Sequence, residues 1–105
     1  MADYPTEVDL KIIETWRRKE ASYAPDTFHG FVELMEYIRR IWAYADAGYW
    51  SETTDGDKRI YHISTAGWSG NEDIIYAMRR NVFFWVKCWL QETRGGHFIF
   101  EVKEP

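Results

Sequence analysis

A single cysteine, Cys88, in a chain of 105 residues leaves no internal disulfide to expect and fits a reducing compartment. Metal signatures are as scarce. There is no HExxH and no CxxC, and His29, His62 and His97 are scattered, so neither a zinc site nor any other cofactor is expected. No GK[ST] follows the glycine-bearing loop, and neither Ser64 nor Ser69 has a GxSxG setting. A hydrolytic set of His62, Glu72 and His97 can be drawn, but no spacing supports it; a protein without catalytic residues is the expectation. Long apolar runs are missing too: the longest, Val82 to Val86, falls far short of a membrane span. The start MADYPTEVD is acidic and polar, the wrong chemistry for a signal peptide, so a cytoplasmic protein away from membranes is expected. Basic excess is lacking. Thirteen Lys and Arg face 17 Asp and Glu, for a net charge of −4, with the surplus acid in the N-terminal half. That is not the field of a protein that holds duplex nucleic acid by its phosphates.

What is abundant is aromatic: Phe, Trp and Tyr make up 18% of the chain, and six are Trp. Aromatics fill cores, but they are also enriched at interfaces and stack on nucleobases. The length suits one domain over residues 1–105 with a real core. Val8, Ile12, Ile13 and Trp16 predict a helix over Thr6 to Glu20, capped by Thr6 ahead of Asp9 and stopped firmly by Pro25. A second helix is predicted from about Thr27 to Ala47, with Phe31, Leu34, Met35, Ile38, Ile41, Trp42 and Ala45 on one face and Gly48 ending it. The period then changes to two. YWSETT and KRIYHIS flank Asp55-Gly56-Asp57, a hairpin signal, and Glu72 to Arg80 reads as a short helix.

From Asn81 two readings compete. Ile75, Met78, Val82, Trp85 and Trp89 keep a helical spacing that would run to Leu90. The β-branched and aromatic run NVFFWVKCW, with Asn81 a poor helix-interior residue, favours a strand pairing with HFIFEV. In that strand a three-residue RGG loop pairs Leu90 with Phe100 and Cys88 with Val102, uniting both apolar series on one core face. Cys88 would be buried and inert there. The opposite face would carry Phe83, Trp85, Trp89 and Ile99, an aromatic patch suited to an interface, to homodimerisation or to cover by the first helix. The fold class expected is therefore α+β: two N-terminal helices, then hairpin, helix and hairpin, the hairpins forming a four-stranded antiparallel sheet.

The run STAGWSGNEDI, Ser64 to Ile74, sets Trp68 between two glycines. Ser69 precedes Glu72 at capping-box spacing, with Asn71 a rival cap. One reading makes this a tight turn with Trp68 folded down as a lid. The other makes it an anion site, with a helix N-terminus, approachable glycines and an indole to stack on a base. At TRGGH, Arg94 and His97 can donate to a phosphate or carboxylate. The arginine pairs at 39–40 and 79–80 read as solvated helix faces or as partners of the helix C-terminal dipole.

STAGWSGNEDI, NVFFWVKCW and RGGHFIFEV together resemble small proteins of uncharacterised function encoded by tailed bacteriophages and prophages. Those show a T-x-G-W-S-G-N-E-x-I run, a later FW…W and a terminal RGGH-aromatic strand. The likeness spans about residues 50–102, with Ala66 where a second glycine is common. It implies an accessory protein in the cytoplasm of the infected bacterial host and supplies no activity. It directs attention to Thr65, Gly67, Trp68, Ser69, Gly70, Asn71 and Glu72, with Arg94, Gly95, Gly96 and His97. The function expected is binding of a small anionic ligand, a nucleotide by preference, to sequester a host signal. The alternative is inhibition or redirection of a host protein through the aromatic sheet face.

Overall fold

The computed structural model describes residues 4–16 and 30–103. Thr6 Oγ1 accepts from the Asp9 N–H and the Asp9 carboxylate from the Thr6 N–H, both at 3.0 Å. This reciprocal cap opens helix α1, Glu7–Thr15. The helix ends at Thr15, short of Glu20. Trp16 turns extended, and Asn81 Nδ2 takes the carbonyls of Ile13 at 2.9 Å and Trp16 at 2.7 Å, satisfying acceptors that another turn would have used. Ile13 is fully buried, whereas Val8 faces out. His29, the Pro25 stop and the start of the second helix at Thr27 lie outside the described residues.

Helix α2, Phe31–Ile41, buries Phe31, Leu34, Met35 and Ile38, and Glu33 accepts from the Gly30 N–H at 2.9 Å ahead of it. Its end comes at Ile41, well before Ala47. The Ala43 N–H, which a longer helix would send back to an α2 carbonyl, goes to Asn71 Oδ1 at 2.8 Å. Tyr44 then turns left-handed (φ +62°), and a short 3-10 turn follows at Ala45–Ala47.

Strands β1, Trp50–Asp55, and β2, Lys58–Ser64, pair from Asp55↔Lys58 to Trp50↔Ile63 across Gly56-Asp57, the hairpin expected. Helix α3 covers Ser69–Arg80. The segment after it departs from expectation. Val82–Cys88 is a helix, α4, and the strand β3 begins only at Trp89 and runs to Thr93. Neither the strand nor one continuous helix holds, because Asn81 separates α3 from α4. Its Oδ1 caps α4 through the Phe84 N–H at 3.2 Å, while its Nδ2 holds α1. Helical spacing sends Phe84 and Cys88 into the core together and leaves Val82 and Val86 outside, so packing overrides β propensity here.

Strand β4, His97–Lys103, completes a four-stranded antiparallel sheet in the order β1-β2-β4-β3. Thr93 faces His97 across Arg94-Gly95-Gly96, the three-residue loop expected. A bulge between Trp89 and Gln91 then replaces the Leu90–Phe100 pair with Trp89–Phe100, and Cys88 belongs to α4 rather than facing Val102. Tyr61, Ile63, Phe98, Phe100 and Val102 turn one sheet face to the helices and the core. The fold is α+β, with four α-helices and this sheet among the described residues. No helix among them is long and apolar enough to cross a membrane.

Candidate functional site

The loop after β2 begins with Thr65, buried, its N–H donating to the Gly96 carbonyl at 3.0 Å. The β2–β4 ladder (Ser64↔His97) thus brings the STAGWSGNE loop and the RGGH tip together. Gly96 has φ +77°, and a Cβ there would collide with Thr65 Oγ1, so the glycine is what admits the threonine. Ala66 and Gly67 both turn left-handed, at φ +55° and +72°. This explains why a glycine suits position 66.

Trp68 is the residue that precedes the first turn of α3, and neither Ser69 nor Asn71 caps the helix. Ser69 Oγ lies 2.6 Å from Tyr4 Oη. Asn71, fully buried, closes on Ala43: beside the bond already described, its Nδ2 donates to the Ala43 carbonyl at 3.2 Å. The Trp68 indole is half-buried. It stacks on Tyr4 at 5.0 Å and meets Tyr44 edge-on at 6.3 Å, and Tyr44 meets Tyr49 at 6.4 Å. The Trp68 ring packs over Gly70, where a Cβ would come 2.7 Å from Nε1. Its aromatic partners are thus Tyr4, ahead of α1, and Tyr44, past the end of α2, and neither belongs to the tip.

The loop and the tip share a cleft of about 150 Å³, to which Thr65, Glu72 and Gly96 contribute, with Arg79 and Glu92 paired at 2.8 Å across it. Trp68, Arg94 and His97 do not line it. His97 instead approaches His62, ring centroids 6.1 Å apart. Among the described residues no group of three or more His, Cys, Asp and Glu could hold a metal ion.

No family model matches the chain, and neither a curated protein nor a solved structure is significantly similar to it. The site must be read from its own geometry.

An open groove of about 930 Å³ lies where α2 ends, bordered by Arg39, Arg40, Trp42, Tyr44, Glu36, Asp46 and Glu52. Arg39 meets Asp46 at 3.2 Å at the surface, and Arg40 rests over the Tyr37 ring at 5.7 Å. Trp42 is fixed by its Nε1, which donates to the Ser64 carbonyl at 3.1 Å, and by an edge contact with Trp50. The sequence marks Arg39 and Arg40 only as a solvated helix face or as partners of the helix C-terminal dipole, and both do stand in the last turn of α2. The signal it lacked is the break at Ala43 and Tyr44, which no local pattern announces because the clasp comes from Asn71.

The expected interface set does not share one face. Phe83 and Trp85 sit on α4, Trp89 opposes Phe100 on the helix side of the sheet, and Ile99, paired with Gln91, lies on the other side. Trp85 and Trp89 stack on each other at 6.0 Å. Helix α1 does not cover them: it packs on α3, and Phe83 and Trp89 stay exposed.

Proposed function

We propose that the chain is a non-catalytic phage accessory protein, acting in the cytoplasm of the infected bacterium. It binds a small ligand that joins an aromatic ring to an anionic group, a nucleotide being the class that fits, and so sequesters it. The observation that carries this is the groove at the end of α2, where Arg39 and Arg40 stand beside Trp42 and Tyr44. Its volume falls in the range of ligand pockets, about 300–1,000 Å³. Planar guanidinium groups suit phosphate oxygens, and the exposed Tyr44 ring, with Trp42 buried behind it, offers a face to a base. Among the described residues Arg39 is held by an exposed ion pair, worth little, and can exchange Asp46 for phosphate. Glu36 and Glu52 are acceptors for base amino or ribose hydroxyl groups.

The STAGWSGNE loop enters this reading as a support. Asn71 fixes the Ala43 peptide and Trp68 abuts Tyr44, so the loop sets the aromatic wall of the groove. Tyr44 is held in left-handed backbone, a strain of about 1–3 kcal/mol that is often found beside functional surfaces.

Calorimetric titration with nucleoside mono-, di- and triphosphates tests the proposal. Arg40→Ala and Tyr44→Ala should each weaken binding by about tenfold or more, roughly 1.4 kcal/mol, whereas Arg94→Ala should leave it unchanged. Absence of binding by every nucleotide, or binding indifferent to Arg40→Ala and Tyr44→Ala, removes the groove from consideration.

A further inference from the structure

We infer that α4 and β3 form the contact between two copies of this chain. Within nine consecutive residues, Val82 (65%), Phe83 (54%), Val86 (76%), Trp89 (39%) and Leu90 (51%) keep these fractions of their surface exposed. Singly exposed hydrophobic residues are ordinary, but five adjoining ones mark a surface that meets another. No carboxylate interrupts them on α4, whose one charge is Lys87.

The strand that follows is an edge of the sheet, and each of its residues is exposed. Protein edges are ordinarily guarded by charge. The other edge, β1, conforms: beyond Trp50 it exposes Ser51, Glu52, Thr53, Thr54 and Asp55, polar throughout with two carboxylates. Strand β3 begins with Trp89 and Leu90, and its single charge, Glu92, is already taken by Arg79 at 2.8 Å. Charge defends one edge and not the other, where the bulge between Trp89 and Gln91 is, among the described residues, the only irregularity in the pairing.

The pattern of β3 fits its own copy. Antiparallel pairing about Gln91 sets Glu92 opposite Leu90 of the partner subunit and Trp89 opposite Thr93 of the partner subunit. Two Gln91 amides then meet on the two-fold axis and can exchange hydrogen bonds. No like charges face each other, which matters for a chain of net charge −4. Because α4 runs directly into β3 at Cys88 and Trp89, the same pairing brings the end of each α4 beside Arg94 of the partner subunit, one at either end of the joined strands. The sheets then join into one.

Sedimentation equilibrium of the full chain tests this. A dimer is expected, with Val86→Asp and Leu90→Lys each raising its dissociation constant by about tenfold or more. Both sites are exposed, so thermal melting at dilute concentration should confirm that each variant still folds. Amides of β3 should exchange hydrogen more slowly in the dimer than after dilution to monomer. A monomer at the highest attainable concentration overturns the inference, as does a dimer indifferent to both substitutions. So does a monomer that binds a host protein through this face.

Discussion

Asn71 holds the Ala43 peptide by both ends, its Oδ1 accepting from the Ala43 N–H at 2.8 Å and its Nδ2 donating to the Ala43 carbonyl at 3.2 Å. The two residues come from separate helical regions, and the clasp is fully buried on the asparagine side. It stops α2 and sets up the left-handed turn at Tyr44. Asn71→Ala should cost about 2–4 kcal/mol, since it strands a donor and an acceptor away from water. Asn71→Asp should cost at least as much, because it puts an acceptor where the Ala43 carbonyl needs a donor. Urea unfolding measures both; a midpoint for Asn71→Ala equal to the parent's would show that Ala43 finds other partners.

The left-handed positions give opposite expectations on the two sides of one contact. Ala66 occupies φ +55° with a side chain that disfavours it, so Ala66→Gly should stabilise by about 0.5–1 kcal/mol, the relief of strain exceeding the entropy that glycine adds to the unfolded chain. Gly96→Ala should destabilise by about 2 kcal/mol or more, because strain and a clash with Thr65 act together. Thermal melting should order the three proteins Ala66→Gly, parent, Gly96→Ala from high to low.

A bond between α1 and α2 predicts a window in pH. Tyr37 Oη donates to Asp9 Oδ1 at 2.6 Å. Burial, aided by the Asp9 carboxylate, pushes the Tyr37 hydroxyl up to about 12. The Tyr37 hydrogen bond and the Thr6 N–H lower the Asp9 carboxyl from its ordinary 3.8. A raised tyrosine contributes stability that is whole below pH 10 and lost as pH climbs toward 12. A lowered carboxyl contributes stability that is whole above pH 3.8 and lost as pH falls through its folded value. Tyr37→Phe should therefore cost about 1 kcal/mol across the neutral range. The gap should close at both extremes. A gap that stays constant from acid to alkali would mean that the bond is not its source.

Cys88 supplies a probe of opening. Burial pushes its thiol up to about 12, so at pH 8 neither access nor thiolate favours attack on a disulfide reagent. Labelling should be slow in the folded protein, and its rate should rise with denaturant in step with unfolding. Prompt labelling without denaturant would place the thiol at the surface.

Features written locally were legible in the sequence. Thr6 three residues before Asp9, Gly56-Asp57 between alternating strands, and the three-residue loop at Arg94 each carry their structural instruction within a few positions. The apolar face of α2 was visible for the same reason. What escaped reading depends on distant partners. Asn81 was noticed as unfit for a helix interior, which is right, yet its meaning is a boundary between two helices that also holds the end of α1. The aromatic run after it looked like a strand because β propensity is itself mostly a statement about packing, and here Phe84 and Cys88 pack as a helix. Trp68 drew attention for a sound reason, but its partners Tyr4 and Tyr44 lie far away along the chain. The groove that Tyr44 borders had no motif to announce it.

The sheet order also bears on how the chain reaches its native state. Both hairpins are local and can close quickly, but β2 and β4, the two inner strands, are separated by α3, α4 and β3. The ladder at the centre of the molecule is therefore the one with the greatest loop-closure cost. Until it zips, Ile63, Phe98 and Phe100 have no shared layer to enter, and neither hairpin is durable alone. The Thr65–Gly96 junction sits at one end of that ladder. Substitutions there should slow folding where they disturb its closure, while equally costly changes on the outer strand β1 should act by hastening unfolding.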